Sequence, residues 1–356
     1  MARALELARQ GICTTAPNPN VGCVIVAPDG KVVGEGWHRR AGEAHAEIHA
    51  LEQAGSGAKG ATVYVTLEPC SHHGKTPPCA DALIASGVAK VICAMQDPNP
   101  QVAGAGLVRL RAAGITIACG LMEAEAREIN RGFVKRMQTG YPWVCSKIAA
   151  SMDGRTALQS GASKWITGEA ARADVQRLRA GSSAILTGIG TVLADDPRLD
   201  VRDTTIQLFE QPLRAVADSG LRMPPDAAML GAGTAVRVFH SAGSAQAENA
   251  LAARGALCTR LPAEKGHLKL AALLNAIGNE GCNHLLLEAG ATLNGAMLRA
   301  GLIDEIIVYQ SARIMGADAR GMFAFDPITR MQDVVQLRMV DVRHLGDDLR
   351  LSYRVA

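Results

Sequence analysis

The sequence predicts an α/β protein built as two domains in series, the first a three-layer α/β/α sandwich and the second a further α/β domain. Three observations carry this expectation. The 356 residues suit two domains of about 100–200 residues each. Short apolar runs alternate with helix-period segments along both halves. Two breakers, Gly140 and Pro142, stand between those alternations and mark the seam. A hydrophobic content of 48% lets each half bury a core.

The elements follow in order. Residues 1–9 form an amphipathic helix with charges at Arg3, Glu6 and Arg9. Residues 21–27 form a buried strand, with 31–35 as its hairpin partner across the Pro28-Asp-Gly30 turn. A helix over 44–54 and a strand over 62–66 come next. Residues 77–86 are a helix whose prolines stand at its start, where a missing N–H does no harm. A strand (88–95), a helix (104–113), a strand (115–118) and one long helix (122–138) complete the first half. In the second half, strands are predicted at 144–151, 184–188, 213–218, 235–240, 284–288 and 305–310. Helices are predicted at 169–180, 244–254, 268–277 and 291–300, and the polar stretch 200–211 is a loop.

Composition excludes some function classes. Aromatic residues are 3% and the net charge is +3, so neither a base-stacking surface nor a basic footprint for nucleic acid is present. No Lys/Arg run exceeds a pair such as Arg39-Arg40. The N-terminus lacks the apolar core of a signal peptide, and no apolar run would span a membrane. Seven of the nine cysteines sit in small or apolar surroundings, which predicts reduced thiols and a cytoplasmic protein. A homo-oligomer is the expectation for an enzyme of this size.

Two segments carry chemistry. His45-Ala-Glu47 and the run PCSHHGKTPPC at 69–79 supply one imidazole, two thiols and a spare carboxylate. His45, Cys70 and Cys79 are the expected ligands of one Zn²⁺ per chain, leaving the fourth tetrahedral position for water. Zinc would lower the pKa of that water towards about 7, and Glu47 would carry protons as general acid and base. Both His45 and Cys79 fall at predicted helix starts, whose positive ends favour thiolate. The competing interpretation is a structural zinc with His72 or His73 as a fourth ligand, or no metal. The long loop between the cysteines offers His72 and Lys75 to a substrate; otherwise both are ordinary loop residues. Upstream, Asn18 lies between prolines and could present both a donor and an acceptor to a pyrimidine edge, unless it only forms a turn. His38 is a candidate for the same pocket, whereas His49 belongs to the core.

At these residues the chain resembles a known family. TAPNPNVG (15–22), His45-Ala-Glu47, TLEPCSHHGKTPPC (66–79) and MQDPNPQVAGAG (95–106) look like the deaminase half of the bifunctional riboflavin-biosynthesis deaminase/reductases. KIAASMDGR (147–155), WIT (165–167), TGIGTVLADDPRL (187–199) and LEAGATL (287–293) resemble the reductase half. The resemblance implies a cytidine-deaminase-like domain at 1–140 and a dihydrofolate-reductase-like domain at 141–356. It implies deamination of 2,5-diamino-6-ribosylamino-4(3H)-pyrimidinone 5′-phosphate, then reduction of the ribosyl group to ribityl with NADPH. It assigns zinc to His45, Cys70 and Cys79, the proton shuttle to Glu47, and substrate contacts to Asn18, His38, His72 and Lys75.

In the second half, residues 284–295 alone suggest a strand, a glycine turn and a helix start, where backbone N–H groups can hold a phosphate. This is not the GxGxxG fingerprint. A second glycine turn follows the strand at 184–188. The resemblance makes these an NADPH site with Ala149, Trp165, Thr191, Asp195, Ser219, Gly290, Ala291, Thr292, Leu293, Asn294 and Gly295. It places substrate on Ser163, Arg179, Leu199, Arg202 and Glu288, with arginine forks suited to the 5′-phosphate. Trp165 could instead be a core aromatic, and Arg179 and Arg202 ordinary surface ion pairs. Lys147, Asp195 or Glu288 could assist hydride transfer. Two other functions compete: a deaminase with a non-catalytic C-terminal oligomerisation domain, and a deaminase of bases in nucleic acid. The intact 195–199 and 288–290 runs oppose the first; the scarce aromatics and low charge oppose the second.

Overall fold

The computed structural model describes residues 1–71, 77–100, 102–231 and 235–356. The chain divides into two compact units, Met1–Tyr141 and Pro142–Ala356.

The first unit holds a five-stranded sheet in the order β2-β1-β3-β4-β5, from β1 (Gly22–Val26), β2 (Val32–Trp37), β3 (Thr62–Val65), β4 (Lys90–Cys93) and β5 (Thr116–Cys119). β1 pairs antiparallel with β2 and β3, while β3, β4 and β5 run parallel. Along β1, Cys23 and Ile25 face one cluster of core residues and Val24 the other. Helix α1 (Ala2–Arg9) packs Ala4 and Leu7 on the Val24 side. α2 (Ala46–Ala54) and α3 (Cys79–Ala85) pack Ala46, Ala50, Ala80 and Leu83 on the other, so the unit is three-layered. Two glycines of β2 set the depth of α2. A Cβ on Gly34 would lie 2.0 Å from the Ala50 carbonyl oxygen, and one on Gly36 would lie 2.4 Å from that of Ala46. Any larger residue would push away the helix that carries Glu47.

After α4 (Ala105–Ala112), the predicted long helix is two: α5 (Glu123–Ile129) and α6 (Arg131–Thr139). Asn130 breaks it. Its buried side chain pairs with the backbone of Asn20, accepting from the N–H at 2.7 Å and donating to the carbonyl at 2.9 Å. Asn20 also donates from Nδ2 to the Ile129 carbonyl at 3.4 Å. A long-range pairing of this kind leaves no mark in a local hydrophobic period.

The second unit is built on nine strands in the order β11-β10-β9-β8-β14-β6-β15-β18-β17. These are β6 (Trp143–Ser151), β8 (Ala184–Gly188), β9 (Leu213–Ala217), β10 (Val236–His240), β11 (Ala256–Arg260), β14 (His284–Leu287), β15 (Glu305–Ser311), β17 (Leu337–Leu345) and β18 (Asp348–Val355). Small two-stranded pairings join β7 (Arg155–Ala157) to β16 (Arg320–Gly321) and β12 (Ala263–Glu264) to β13 (His267–Leu268). The run from β11 to β15 is parallel, and only β18 and β17 are antiparallel. Helices α7 (Glu169–Ala180), α8 (Ile189–Asp195), α9 (Ala245–Ala252), α10 (Leu270–Asn279) and α11 (Ala291–Arg299) connect the strands. One core cluster gathers Ile185, Val216, Val238 and Leu286; another gathers Ala171, Val175, Ile307 and Tyr309. The expected glycine turn at 187–191 is the start of α8, with Gly188 as its N-cap. Of the nine strands, β11, β17 and β18 lie outside the predicted set. β17 exposes Leu337, Met339, Val340 and Val342 alike, so it has no buried face to produce a period of two.

Candidate functional site

In the first unit, α2 and α3 present their starts to each other. His45 caps α2 in extended conformation, and Cys79 is the first residue of α3, after Pro78. Cys70 lies in the segment following β3. The His45 Nδ1 atom is 3.2 Å from Cys79 Sγ and 3.6 Å from Cys70 Sγ, and the Cys79 N–H donates to Cys70 Sγ at 3.2 Å. The three ligand atoms lie within 4.8 Å of one another. Tetrahedral zinc with bonds of about 2.0–2.3 Å requires N···S and S···S separations of roughly 3.5–3.8 Å. The donor set fits zinc; the His45–Cys70 separation falls in that range and the His45–Cys79 separation is about 0.3 Å short of it. Hydrogen bonding from Cys79 holds the Cys70 thiol well below its usual pKa, and the same contact raises Cys79. A thiol lowered in this way is ready to bind a divalent cation as thiolate.

Glu47, 3% exposed, lies in the first turn of α2. Burial raises its pKa to about 7, partly opposed by His45. A carboxyl poised there can both give and take a proton at neutral pH. The His38 ring stands edge-on to the His45 ring, with centroids 5.1 Å apart. Its Nδ1 is 3.1 Å from the Ala44 carbonyl oxygen, which requires a donor, so Nε2 accepts from Asn18 Nδ2 at 3.0 Å. Burial pulls the His38 pKa down, in keeping with a neutral ring. Asn20, by contrast, is held by Thr15 Oγ1 at 2.8 Å and by Asn130, as part of the scaffold. His49 lies apart from the metal group, 3.7 Å from Glu52. His72 and Lys75 lie outside the described residues.

The second unit gathers its predicted residues at the carboxyl ends of β6, β8 and β14, the usual position of ligand crevices in open parallel sheets. Gly188 and Gly290 cap α8 and α11 side by side. A Cβ on Gly188 would touch Leu293 at 3.5 Å, and one on Gly290 would reach Thr191 Oγ1 at 3.8 Å. Gly290 brings no capping side chain, so the first N–H groups of α11 remain open to an anion. That cradle fits the pyrophosphate of a dinucleotide. Trp165 is 60% exposed beneath the Arg172 guanidinium at 4.8 Å, which removes the core-aromatic interpretation. Ala149 shares the face of β6 with Lys147. Ser163 is half-buried in the loop before α7, and Leu199 is buried with φ +49°. Asp195 ends α8, and the Ser219 Oγ accepts from the Leu268 N–H at 3.0 Å.

Glu288 directly follows β14, in a closed ion cluster. Arg179 donates to it from Nε at 2.6 Å and Nη2 at 3.1 Å, and Lys147 Nζ stands at 3.3 Å. Burial alone would raise the Glu288 pKa, but the two cations hold it at about 2. The third Arg179 contact goes to the Asp200 carbonyl at 3.0 Å. The fork expected for the 5′-phosphate is thus directed at Glu288. Neither Arg179 nor its partner is on the surface. Arg202 is exposed and binds Asp200 Oδ1 at 2.7 Å, alongside Arg198 on Oδ2 at 3.0 Å. Arg198, not anticipated, therefore shares that anchor.

Two residues of the 290–295 run also make internal contacts that shape the turn. The buried Asn294 side chain accepts from Ser146 Oγ at 2.8 Å and donates to the Ala289 carbonyl at 2.7 Å, which locks the turn. A Cβ on Gly295 would lie 2.1 Å from the Ala324 carbonyl oxygen, so this glycine admits a neighbouring backbone. Gly295→Ala should destabilise the protein by about 1–3 kcal/mol through overpacking. A denaturant melt with an unchanged midpoint would contradict this.

The comparisons with known proteins cover both units. Residues 1–95 match the family model for the cytidine and deoxycytidylate deaminase zinc-binding region, and residues 142–351 match the RibD C-terminal domain. The chain is 50% identical to the riboflavin biosynthesis protein RibD of Escherichia coli, over 99% of this chain and 97% of that protein. The chain belongs to the RibD family. The RibD of Haemophilus influenzae is 46% identical over 99% and 96% of the two chains. Among solved structures, Acinetobacter baumannii RibD superposes with a TM-score of 0.92 at 45% identity, covering 100% of this chain and 97% of that one. A Thermotoga maritima protein, named a diaminohydroxyphosphoribosylaminopyrimidine deaminase/5-amino-6-(5-phosphoribosylamino)uracil reductase, gives 0.86 at 30% identity with the same coverage. The RibD family thus accounts for both units, a zinc-binding deaminase fold and a reductase fold. Sequence reasoning passed over one buried residue of the first half: Glu68, two residues before Cys70.

Proposed function

We propose that this chain is a bifunctional enzyme of riboflavin biosynthesis, with residues 1–140 as its deaminase and 141–356 as its NADPH-dependent reductase. The observation that carries the reading is the fit of His45, Cys70 and Cys79 to zinc beside the buried carboxyl of Glu47. His45, Cys70 and Cys79 hold the metal, which when bound supplies acidified water at its open position. Glu47 takes a proton from the attacking water and returns it to the departing ammonia. His38 orients Asn18 through the Nε2 contact, and Asn18 meets the pyrimidine of 2,5-diamino-6-ribosylamino-4(3H)-pyrimidinone 5′-phosphate.

In the reductase, the Gly188 and Gly290 turns would hold NADPH, which would supply the hydride that reduces C1′ of the ribosyl group. The ring oxygen takes up a proton as the ring opens. Lys147, held by Glu288, is the donor that this arrangement favours. Arg198 and Arg202, both paired with Asp200, would hold the 5′-phosphate. The seven free thiols outside the metal group suit the cytoplasm, and a homo-oligomer is expected from chain size.

The test follows ammonia release and NADPH oxidation in one reaction with the diaminopyrimidine ribotide. Ammonia should appear first, NADPH oxidation should follow, and a zinc chelator should stop both. When the deaminated substrate is supplied instead, NADPH oxidation should survive the chelator. Ammonia without NADPH oxidation would make the second unit the non-catalytic oligomerisation module.

A further inference from the structure

Helix α4 grips the chain on both sides of Cys70 and just after Cys79. The Glu68 carboxylate, 4% exposed, accepts four backbone N–H groups. Oε2 takes those of Asp97 at 3.2 Å and Gly104 at 2.9 Å; Oε1 takes those of Gly106 at 2.9 Å and Leu107 at 3.4 Å. Two of these donors belong to the first turn of α4, whose positive end suits an anion. Gly106 also lies so close to the cysteine segment that a Cβ there would sit 2.0 Å from the Pro69 carbonyl oxygen. One turn on, Arg109 donates from Nη1 to the Ser71 carbonyl at 3.3 Å. Its Nε meets Asp81 Oδ1, in α3, at 2.6 Å.

We infer that α4 is a splint across the two cysteine segments, with Glu68 and Arg109 as positioning residues that fix the separation of Cys70 and Cys79 and so set the affinity for zinc. The inference rests on the zinc-deaminase reading of the site. Physically, Cys70 is on a segment without regular structure, and a thiolate free to wander would have to be ordered at the moment of binding. Glu68 and Pro69 anchor the segment before Cys70, and Arg109 anchors it after. The same arginine ties that segment to the helix carrying Cys79. The ordering is then complete before the metal arrives.

The experiment titrates zinc into metal-free protein against a chromophoric chelator. Glu68→Gln keeps the side-chain size but removes one of the two acceptor oxygens. Arg109→Ala cuts both links to the cysteine segments. Each should weaken zinc binding by about 10–100-fold, the range for outer partners of a metal site. Arg127→Ala on α5 is the control: it loses an equally exposed ion pair, to Glu123 at 2.7 Å, away from the metal. Its zinc affinity should stay within about twofold of native, as for surface pairs in general. NADPH oxidation with deaminated substrate should be native in all three, which reports an intact second unit. Native zinc affinity in both α4 variants, or an equal loss in Arg127→Ala, would overturn the splint. If Glu68→Gln fails to fold, the half-exposed Arg109→Ala decides alone. A native chain that takes up no zinc would instead overturn the zinc reading itself, a result distinct from variants that bind like the native chain.

Discussion

Replacing Glu47 by Gln should leave zinc bound and lower ammonia release by about 10²–10⁴-fold, the span usual for removing a general acid–base group. The substitution keeps the shape of the side chain and its place in α2. What it removes is the only property that the site cannot borrow from elsewhere, a carboxyl that exchanges protons near neutral pH. His38 is no substitute, since its proton is engaged by the Ala44 carbonyl and burial disfavours its charged form. Zinc content by atomic absorption and ammonia by a coupled assay separate binding from chemistry. NADPH oxidation with deaminated substrate should be untouched. Retained deamination would falsify the shuttle role of Glu47, and loss of both activities would show that the units do not act independently.

Glu288→Gln should have the largest effect on stability. The substitution leaves the buried Arg179 guanidinium and the Lys147 ammonium facing each other without a counter-charge. Breaking a buried pair in this way costs about 3–5 kcal/mol. The pH dependence gives the sign. In the folded chain Glu288 is held at about 2, below the unfolded carboxyl range near 4, so its contribution is complete above that range. It is lost as pH falls through the window between them. The native and substituted chains should therefore differ most at neutral pH and converge towards pH 2. Equal denaturant midpoints at pH 7 would contradict the buried cluster. Reductase turnover should fall as well, because Lys147 loses the partner that positions it, while ammonia release should not change.

Much of this was legible in the sequence, for reasons tied to distance along the chain. The zinc group rests on two short segments, and His45 and Cys79 stand at helix starts that local composition already marks. The alternating strands and helices of both units show themselves through the same local periods. Contacts that close over a hundred residues leave no such mark. Asn130 interrupts a helix for the sake of Asn20, and Arg179 turns from the surface to Glu288. Asn294 and Gly295 sit inside a run that looks made for phosphate, yet one faces Ser146 and the other makes room for residue 324. Glu68 was in plain view beside Cys70, but its four donors begin about 30 residues later.

The strand order of the second unit also dictates a schedule. β14 lies between β8 and β6, although it is made long after both. About 95 residues separate Gly188, the end of β8, from His284. At ordinary rates of protein synthesis the ribosome needs on the order of ten seconds to cover them. For all that time the central slot of the sheet is open, with two apolar strand edges waiting for a third. A nascent chain of this protein is thus most in need of a chaperone not at its first domain, which closes early on local pairings, but during the long wait for one four-residue strand.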